Sequence, residues 1–385
     1  MIDTRLNEIG EDEYRDRYRR AQEVMSRDGI DLLIAWSDCY RMSNVRWLTN
    51  YRAFDGFIPY AAMTLVPATG DPILLVTEGL VPSAASSTWV KDVREIRREL
   101  PRLLREFAGS GIKNVGIAGY RYLAAEFLDT IRQCLAAPIN VERTSVLDIL
   151  KAVKSETEIR NMKVAGRLAD VGCEAIAERA AAGVTERELA RAAYSAMFEA
   201  GADTIAFDVF VQTGRENTET FYLKRPTDRA LQDGDIVMID MGCRFNGYAS
   251  DNARAACFGN SSDEVRRAMD ATLEAFEAGL KHIRAGVTGA EACAPANEVL
   301  RKRGYLGAGE NLRCGHGTGM DPEEEYPSLM PESEDVFFEN MTAAYAITLL
   351  VPGVGGCRVE DPIVVRKDGA ESLSNYSYVN RWPLR

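Results

Sequence analysis

The sequence predicts a two-domain α/β protein, with residues 1–150 forming one domain and 151–385 the other. Three observations carry that reading. A chain of 385 residues is long for one domain and has ample interior for two sizeable cores. Its first 150 residues alternate helical spacing with short apolar runs. Near residue 150 the texture changes, and a faint repeat begins.

In the first domain, helical spacing over Tyr14 to Met25 is followed by Leu32, Leu33, Ile34 and Ala35, a strand-like run. Further strands are predicted at 64–66 (TLV), 73–76 (ILLV) and 115–118 (VGIA). The domain has no glycine-rich phosphate loop, so nothing points to a nucleotide site.

The second domain opens on a capping box, Ser155 with Glu158, in which the Ser hydroxyl and the Glu carboxylate satisfy helix-end N–H groups. Ile159, Met162, Gly166, Ala169, Cys173 and Ile176 follow at spacings of three and four, the period of an amphipathic helix. GVTERELA at 183–190 and GVTGAEAC at 286–293 each end one helix and restart another with Thr-x-x-Glu. A separation of 103 residues is too long for a solenoid and suggests a domain of two duplicated halves. Chance likeness of two helix starts is the alternative.

Composition narrows the function. A net charge of -12 and a pI of about 5.0 argue against nucleic acid or an anionic membrane as partner. No apolar run reaches the roughly 18 residues of a membrane span, and the charged N-terminus MIDTRLNEIGEDEYRDRYRR lacks a signal-peptide core. Eight scattered cysteines without a CxxC pair point to a reduced, cytoplasmic protein. Only two histidines, His282 and His316, are present, so imidazole chemistry has few candidates.

The chemistry concentrates in three stretches. IVMIDMGCRFNGYASDNAR at 236–254 ends an apolar run on Asp240 and places Asp251 eleven residues later, across an Asn246-Gly247 turn signal. A hairpin there would bring two carboxylates together, and a hard cation between them would relieve their repulsion. GHGTG at 315–319 sets His316 among glycines that permit close approach of backbone and ligand. VPGVGGCRVED at 351–361 places Glu360 in a strand, with Arg358 two positions earlier on the same face. Two Asp, one His and one Glu make a hard-ligand set suited to Mn, Fe, Co or Zn. The structural alternatives are a strand-end turn at Asp240, a solvated Asp251, a surface-loop His316 and an Arg358–Glu360 ladder pair.

In this order and spacing the motifs resemble the creatinase, prolidase and methionine aminopeptidase family, and the likeness covers nearly the whole chain. It implies a creatinase-type N-terminal α/β domain, then a "pita-bread" catalytic domain with duplicated halves around a curved antiparallel sheet. DGIDLLIAWSDCYRMSNVRWLTNY at 28–51 looks like the start of the former. Asp240, Asp251, His316 and Glu360 fall on four of the family's five metal-ligand positions.

The fifth position does not match. The family's peptidases carry a glutamate fourteen residues before the GGxRxED glutamate, where this chain has Ala346. Their substrate-side histidine corresponds to Phe221, and the histidine of HGxGxxxHE to Glu323. The resemblance therefore implies one divalent transition metal, or none, with the acidic run Glu323, Glu324, Glu325 as a replacement ligand or proton carrier, or else a solvated loop. The expected function is hydrolysis of a C–N bond in a small, polar, amino-acid-like compound, as in creatinase or ectoine hydrolase. The alternatives are an X-Pro dipeptidase or aminopeptidase, a lyase of the dimethylsulfoniopropionate-cleaving type, and a binding module that has lost catalysis. Catalysis is expected from His316, Glu360, Glu323 and Glu324, and substrate contacts from Phe221, Arg358, Arg52 and Phe57. The last two lie in the aromatic loop 44–60, which in related small-molecule hydrolases closes over the partner subunit's site, so a homodimer is expected.

Overall fold

The structure, a computed structural model, describes residues 8–52, 61–220 and 224–383. The chain divides into two compact units, one of Ile9–Lys151 and the other built from Ala152 onward.

In the first unit the Tyr14–Met25 spacing becomes α1 (Glu11–Asp28), which buries Tyr14, Arg17, Tyr18, Ala21 and Met25 along one stripe. Among the described residues its six strands are β1 (Leu32–Asp38), β2 (Ala61–Pro67), β3 (Ile73–Val76), β4 (Asp92–Glu95), β5 (Asn114–Ala118) and β6 (Asn140–Arg143). They form one sheet in the order β4-β3-β2-β1-β5-β6. All four strands predicted from apolar runs are present. The helices of this unit are α2 (Ser43–Thr49), α3 (Val81–Ser87), α4 (Ile96–Gly109), α5 (Ala125–Cys134) and α6 (Val146–Ala152). Leu100, Leu103 and Leu104 of α4 and Phe127 and Ile131 of α5 join Leu32, Ile34 and Ile117 of the sheet in a single core.

The second unit opens with α7 (Glu156–Arg179) and α8 (Glu186–Glu199). It continues through β7 (Thr204–Thr213), α9 (Arg215–Thr218), β8 (Ile236–Phe245), β9 (Tyr248–Ala249) and β10 (Asn252–Phe258). Then come α10 (Asp263–Leu280), α11 (Gly289–Lys302), β11 (Gly315–Gly317), β12 (Thr342–Val351), β13 (Gly355–Arg366), β14 (Gly369–Ser372) and β15 (Val379–Trp382). The order β11-β12-β13-β10-β8-β7 makes a curved, largely antiparallel sheet, the pita-bread arrangement.

Duplication shows in hydrogen bonds as well as in helix order. All three predicted capping boxes form, at Ser155, Thr185 and Thr288. Gly183 N–H donates to Leu231 O, and Leu231 N–H returns to Val184 O; Gly286, Phe337 and Val287 repeat the same pair of bonds. Thr185 bridges Ala230 and Thr288 bridges Val336, so each helix restart is tied to its half in one way. Two copies of so specific a backbone pattern are not explained by chance likeness of helix starts.

Candidate metal centre

Asp240 is not a strand-end turn residue. β8 runs five residues beyond it and is buried throughout, because the chain reverses only at Asn246 and Gly247. Both have positive φ, 49° and 83°, the left-handed pair that a tight hairpin turn of matching twist requires. The return strand sets Ala253 opposite Asp240, with Asp251 just ahead of β10. His316 lies on β11 opposite Ala344 rather than on a surface loop. Gly315, at φ 127°, makes that pairing possible, since a Cβ there would sit 2.0 Å from Ala344 O.

Directly paired residues on neighbouring strands project to the same face. The pairs Phe210–Asp240, Asp240–Ala253, Ala253–Glu360 and Glu360–Ala346 therefore trace one row across five strands. Thr348 pairs with Arg358 on that face, and His316, through Ala344, joins it as well. The sequence could not show this row, because it depends on strand order.

Asp251, His316 and Glu360 offer ligand atoms all within 4.8 Å of one another. His316 Nε2 lies 3.6 Å from Asp251 Oδ2 and 3.6 Å from Glu360 Oε1. Nδ1 of the same ring is 3.0 Å from Gly317 O, which places a proton on Nδ1 and leaves Nε2 facing the carboxylates. Arg358 spans the remaining pair: Nε donates to Asp240 Oδ2 at 2.8 Å and Nη2 to Glu360 Oε2 at 2.5 Å. Its Nη1 donates to Thr348 Oγ1 at 2.7 Å, so all three arms of the guanidinium are engaged. Asp240 Oδ1 and Glu360 Oε1 are buried with no hydrogen-bond partner, a costly state for a carboxylate that a bound cation would relieve.

Electrostatics agree. Burial pushes Asp240 up to about 7, with Arg358 opposing and Glu360 adding to the rise. Burial also raises Asp251 well above the usual carboxylate range, reinforced by the charges of Glu360 and Asp240. Burial disfavours the Arg358 cation, yet Glu360, Asp240 and Asp251 outweigh it and hold Arg358 charged.

Of the other predicted site residues, Glu324 is buried against Lys154, whose Nζ is 2.9 Å from Oε2, and it accepts Met320 N–H through Oε1. It fastens the loop after His316, so the solvated-loop reading fails at this residue. Glu323 is exposed and pairs with Arg313 at 2.6 Å, while its charge still contributes to the rise of Asp251. Arg52 is half-buried in the first unit. Phe57 and Phe221 lie outside the described residues. The sequence reading missed Phe210, half-buried beside Asp240 on the site face and stacked on Phe207 at 6.1 Å between ring centroids. Its strand, TIAFDVFVQT, reads as ordinary core, and only the pairing register sets it apart.

A family model for the metallopeptidase family M24 matches residues 160–367, more than half of the chain. The chain belongs to metallopeptidase family M24. A second model, the creatinase/prolidase N-terminal domain, matches residues 17–152. An Xaa-Pro dipeptidase of Lactobacillus helveticus is 31% identical over 265 residues, 68% of each chain. One from Lactobacillus delbrueckii subsp. lactis is 26% identical over 322 residues, covering 80% of this chain and 84% of that one. Among solved structures, dipeptidase PepE from Mycobacterium ulcerans superposes with a TM-score of 0.86 at 25% identity, covering 98% of this chain and 100% of its own. As an M24 member the chain is a hydrolase acting on C–N bonds, and the family's dependence on divalent metal fits the Asp251–His316–Glu360 cluster. The family's full five-ligand set does not fit, because Ala346 stands opposite Glu360 where the fifth carboxylate would be.

Proposed function

We propose that this M24 chain hydrolyses a C–N bond in a dipeptide-sized amide, an X-Pro dipeptide in type, with a single divalent cation held by Asp251, His316 and Glu360. The observation that carries the proposal is the buried Glu360 Oε1, without a hydrogen-bond partner and 3.6 Å from His316 Nε2. Charge balance supports one ion. Asp240, Asp251 and Glu360 against Arg358 sum to about -2 when ionised, which one divalent ion cancels and two would overshoot in a buried site.

A bound cation supplies Lewis-acid polarisation of the scissile carbonyl and lowers the pKa of an attacking water. The remaining work falls to the chain's own side chains. Arg358 fixes Asp240 and Glu360 in place through a hydrogen bond to each. Phe210, with Phe207 behind it, gives the site an apolar wall suited to a ring such as that of proline. Glu323 is proposed to carry the proton, since it lies outside the cation's ligands yet its charge reaches Asp251.

A second reading, hydrolysis of a small non-peptide nitrogen compound in the manner of creatinase or ectoine hydrolase, is favoured by Ala346 specifically. The peptidase ligand and base at that position are absent together. Incubating the Mn2+- or Zn2+-loaded protein with Ala-Pro, Gly-Pro, creatine and ectoine separates the readings. Release of free proline supports the first, release of products from creatine or ectoine alone supports the second, and no C–N cleavage of any of them refutes both.

A further inference from the structure

The cation cluster straddles a weak seam. Ten residue pairs join β12 to β13 and six join β8 to β10, but only Ala253–Glu360 joins β10 to β13. Beyond that pair the strands take other neighbours: Ala255–Phe258 pair in parallel with β15, and Ile363–Arg366 with β14. Asp251 belongs to one side of the seam and Glu360 to the other. A single bridge is little to hold two ligands at fixed separation, when a metal site tolerates errors of only a few tenths of an ångström.

Arg254 closes the gap from the opposite face. Its side chain is fully buried, Nη1 donating to Ala253 O at 2.9 Å on its own strand and to Glu360 O at 2.6 Å across the seam. Nη2 donates to Asp361 Oδ1 at 2.7 Å and to Ser374 Oγ at 2.5 Å. Ser374 Oγ in turn donates to Asp170 Oδ1 on α7, while the Ser372 and Tyr378 hydroxyls donate to the other Asp361 oxygen. The guanidinium lies over the Tyr378 ring at 5.1 Å. A buried charge costs several kcal/mol unless its partners are well placed. Here the partners are the backbone carbonyl of one proposed ligand and the side chain of the residue after it.

We infer that Arg254 is a positioning residue that sets the separation of Asp251 and Glu360, and with it the affinity and geometry of the bound cation. It touches no substrate and acts through the β10–β13 seam. The inference rests on the single-cation reading above, and the test keeps the two apart. Wild-type protein and the variants Arg254→Lys, Ser374→Ala and Thr185→Ala are titrated calorimetrically with Co2+ alone, and the visible absorption bands of the bound ion are recorded. Thr185 caps α8 through Glu188, hydrogen-bonds none of these residues and serves as a control for general loss of stability. Arg254→Lys keeps the charge but loses the fork, and weaker binding by about 10- to 100-fold with shifted bands is expected, the range for outer partners of metal ligands. Ser374→Ala removes one acceptor and leaves the ion pair, so a loss near 10-fold is expected, and this arm decides alone if Arg254→Lys does not fold. Thr185→Ala should bind Co2+ as wild type does. Wild-type affinity and bands in the folded Arg254 and Ser374 variants, or an equal loss in Thr185→Ala, would overturn the inference while leaving the single-cation reading intact. Failure of the wild type to bind Co2+ would overturn both.

Discussion

Restoring a carboxylate at residue 346 has a calculable consequence. Ala346 is 4% exposed and pairs directly with Glu360, so a glutamate there would place a second buried carboxylate about 5 Å from the first. At an effective dielectric near 20, two like charges at that distance repel by about 3 kcal/mol. Without cation, Ala346→Glu should therefore lower the thermal midpoint by roughly 6–12 °C, taking about 2–4 °C per kcal/mol for a unit of this size. Site charge falls from about -2 to about -3, and a fourth ligand joins the cluster. Excess Mn2+ should then recover the lost midpoint, and calorimetric titration should show stoichiometry rising from one ion per chain toward two. The assay is differential scanning calorimetry with and without Mn2+, paired with the titration. A variant as stable as wild type without metal, or one that gains no ion, would refute the placement of residue 346 beside the cation.

Asp251→Asn, His316→Ala and Glu360→Gln should each abolish most cation binding and most hydrolysis. Asp240→Asn should do so less, because Arg358 already engages Asp240; titration and initial rates on the four variants check the order. Thr185→Ala and Thr288→Ala should each destabilise by about 1 kcal/mol in urea unfolding, as equivalent N-caps of duplicated halves. A large difference between them would count against equivalence. The family likeness and the Arg52–Phe57 loop lead to a proposed homodimer, and sedimentation equilibrium of the active protein should give twice the chain mass; a fully active monomer would exclude it.

Much of the fold was legible in local sequence. The strands at 32–35, 64–66, 73–76 and 115–118 are short apolar runs, whose burial leaves few alternatives, and the three capping boxes are four-residue signals complete in themselves. The nearness of two of the expected ligands was legible through spacing, since the Asn246-Gly247 turn brings Asp251 back toward Asp240 whatever the rest of the chain does. Partners brought together only by strand order were not. Arg358 was expected beside Glu360, two residues away, but its bond to Asp240 joins positions 118 apart. Glu324 read as part of a charged loop because Lys154, which buries it, lies 170 residues earlier. Phe210 and Arg254 were hidden in the same way, each an ordinary strand residue until the register shows which face it occupies. No helix among the described residues is long and apolar enough to cross a membrane.

The central claim is that one cation, held by Asp251, His316 and Glu360, drives cleavage of a C–N bond. Metal-free protein titrated with Mn2+, with Ala-Pro hydrolysis followed in the same samples, tests it most directly. The account predicts saturation at one ion per chain, with the rate rising in step and vanishing on chelation. Saturation at two ions, or a rate unchanged after complete metal removal, would contradict it.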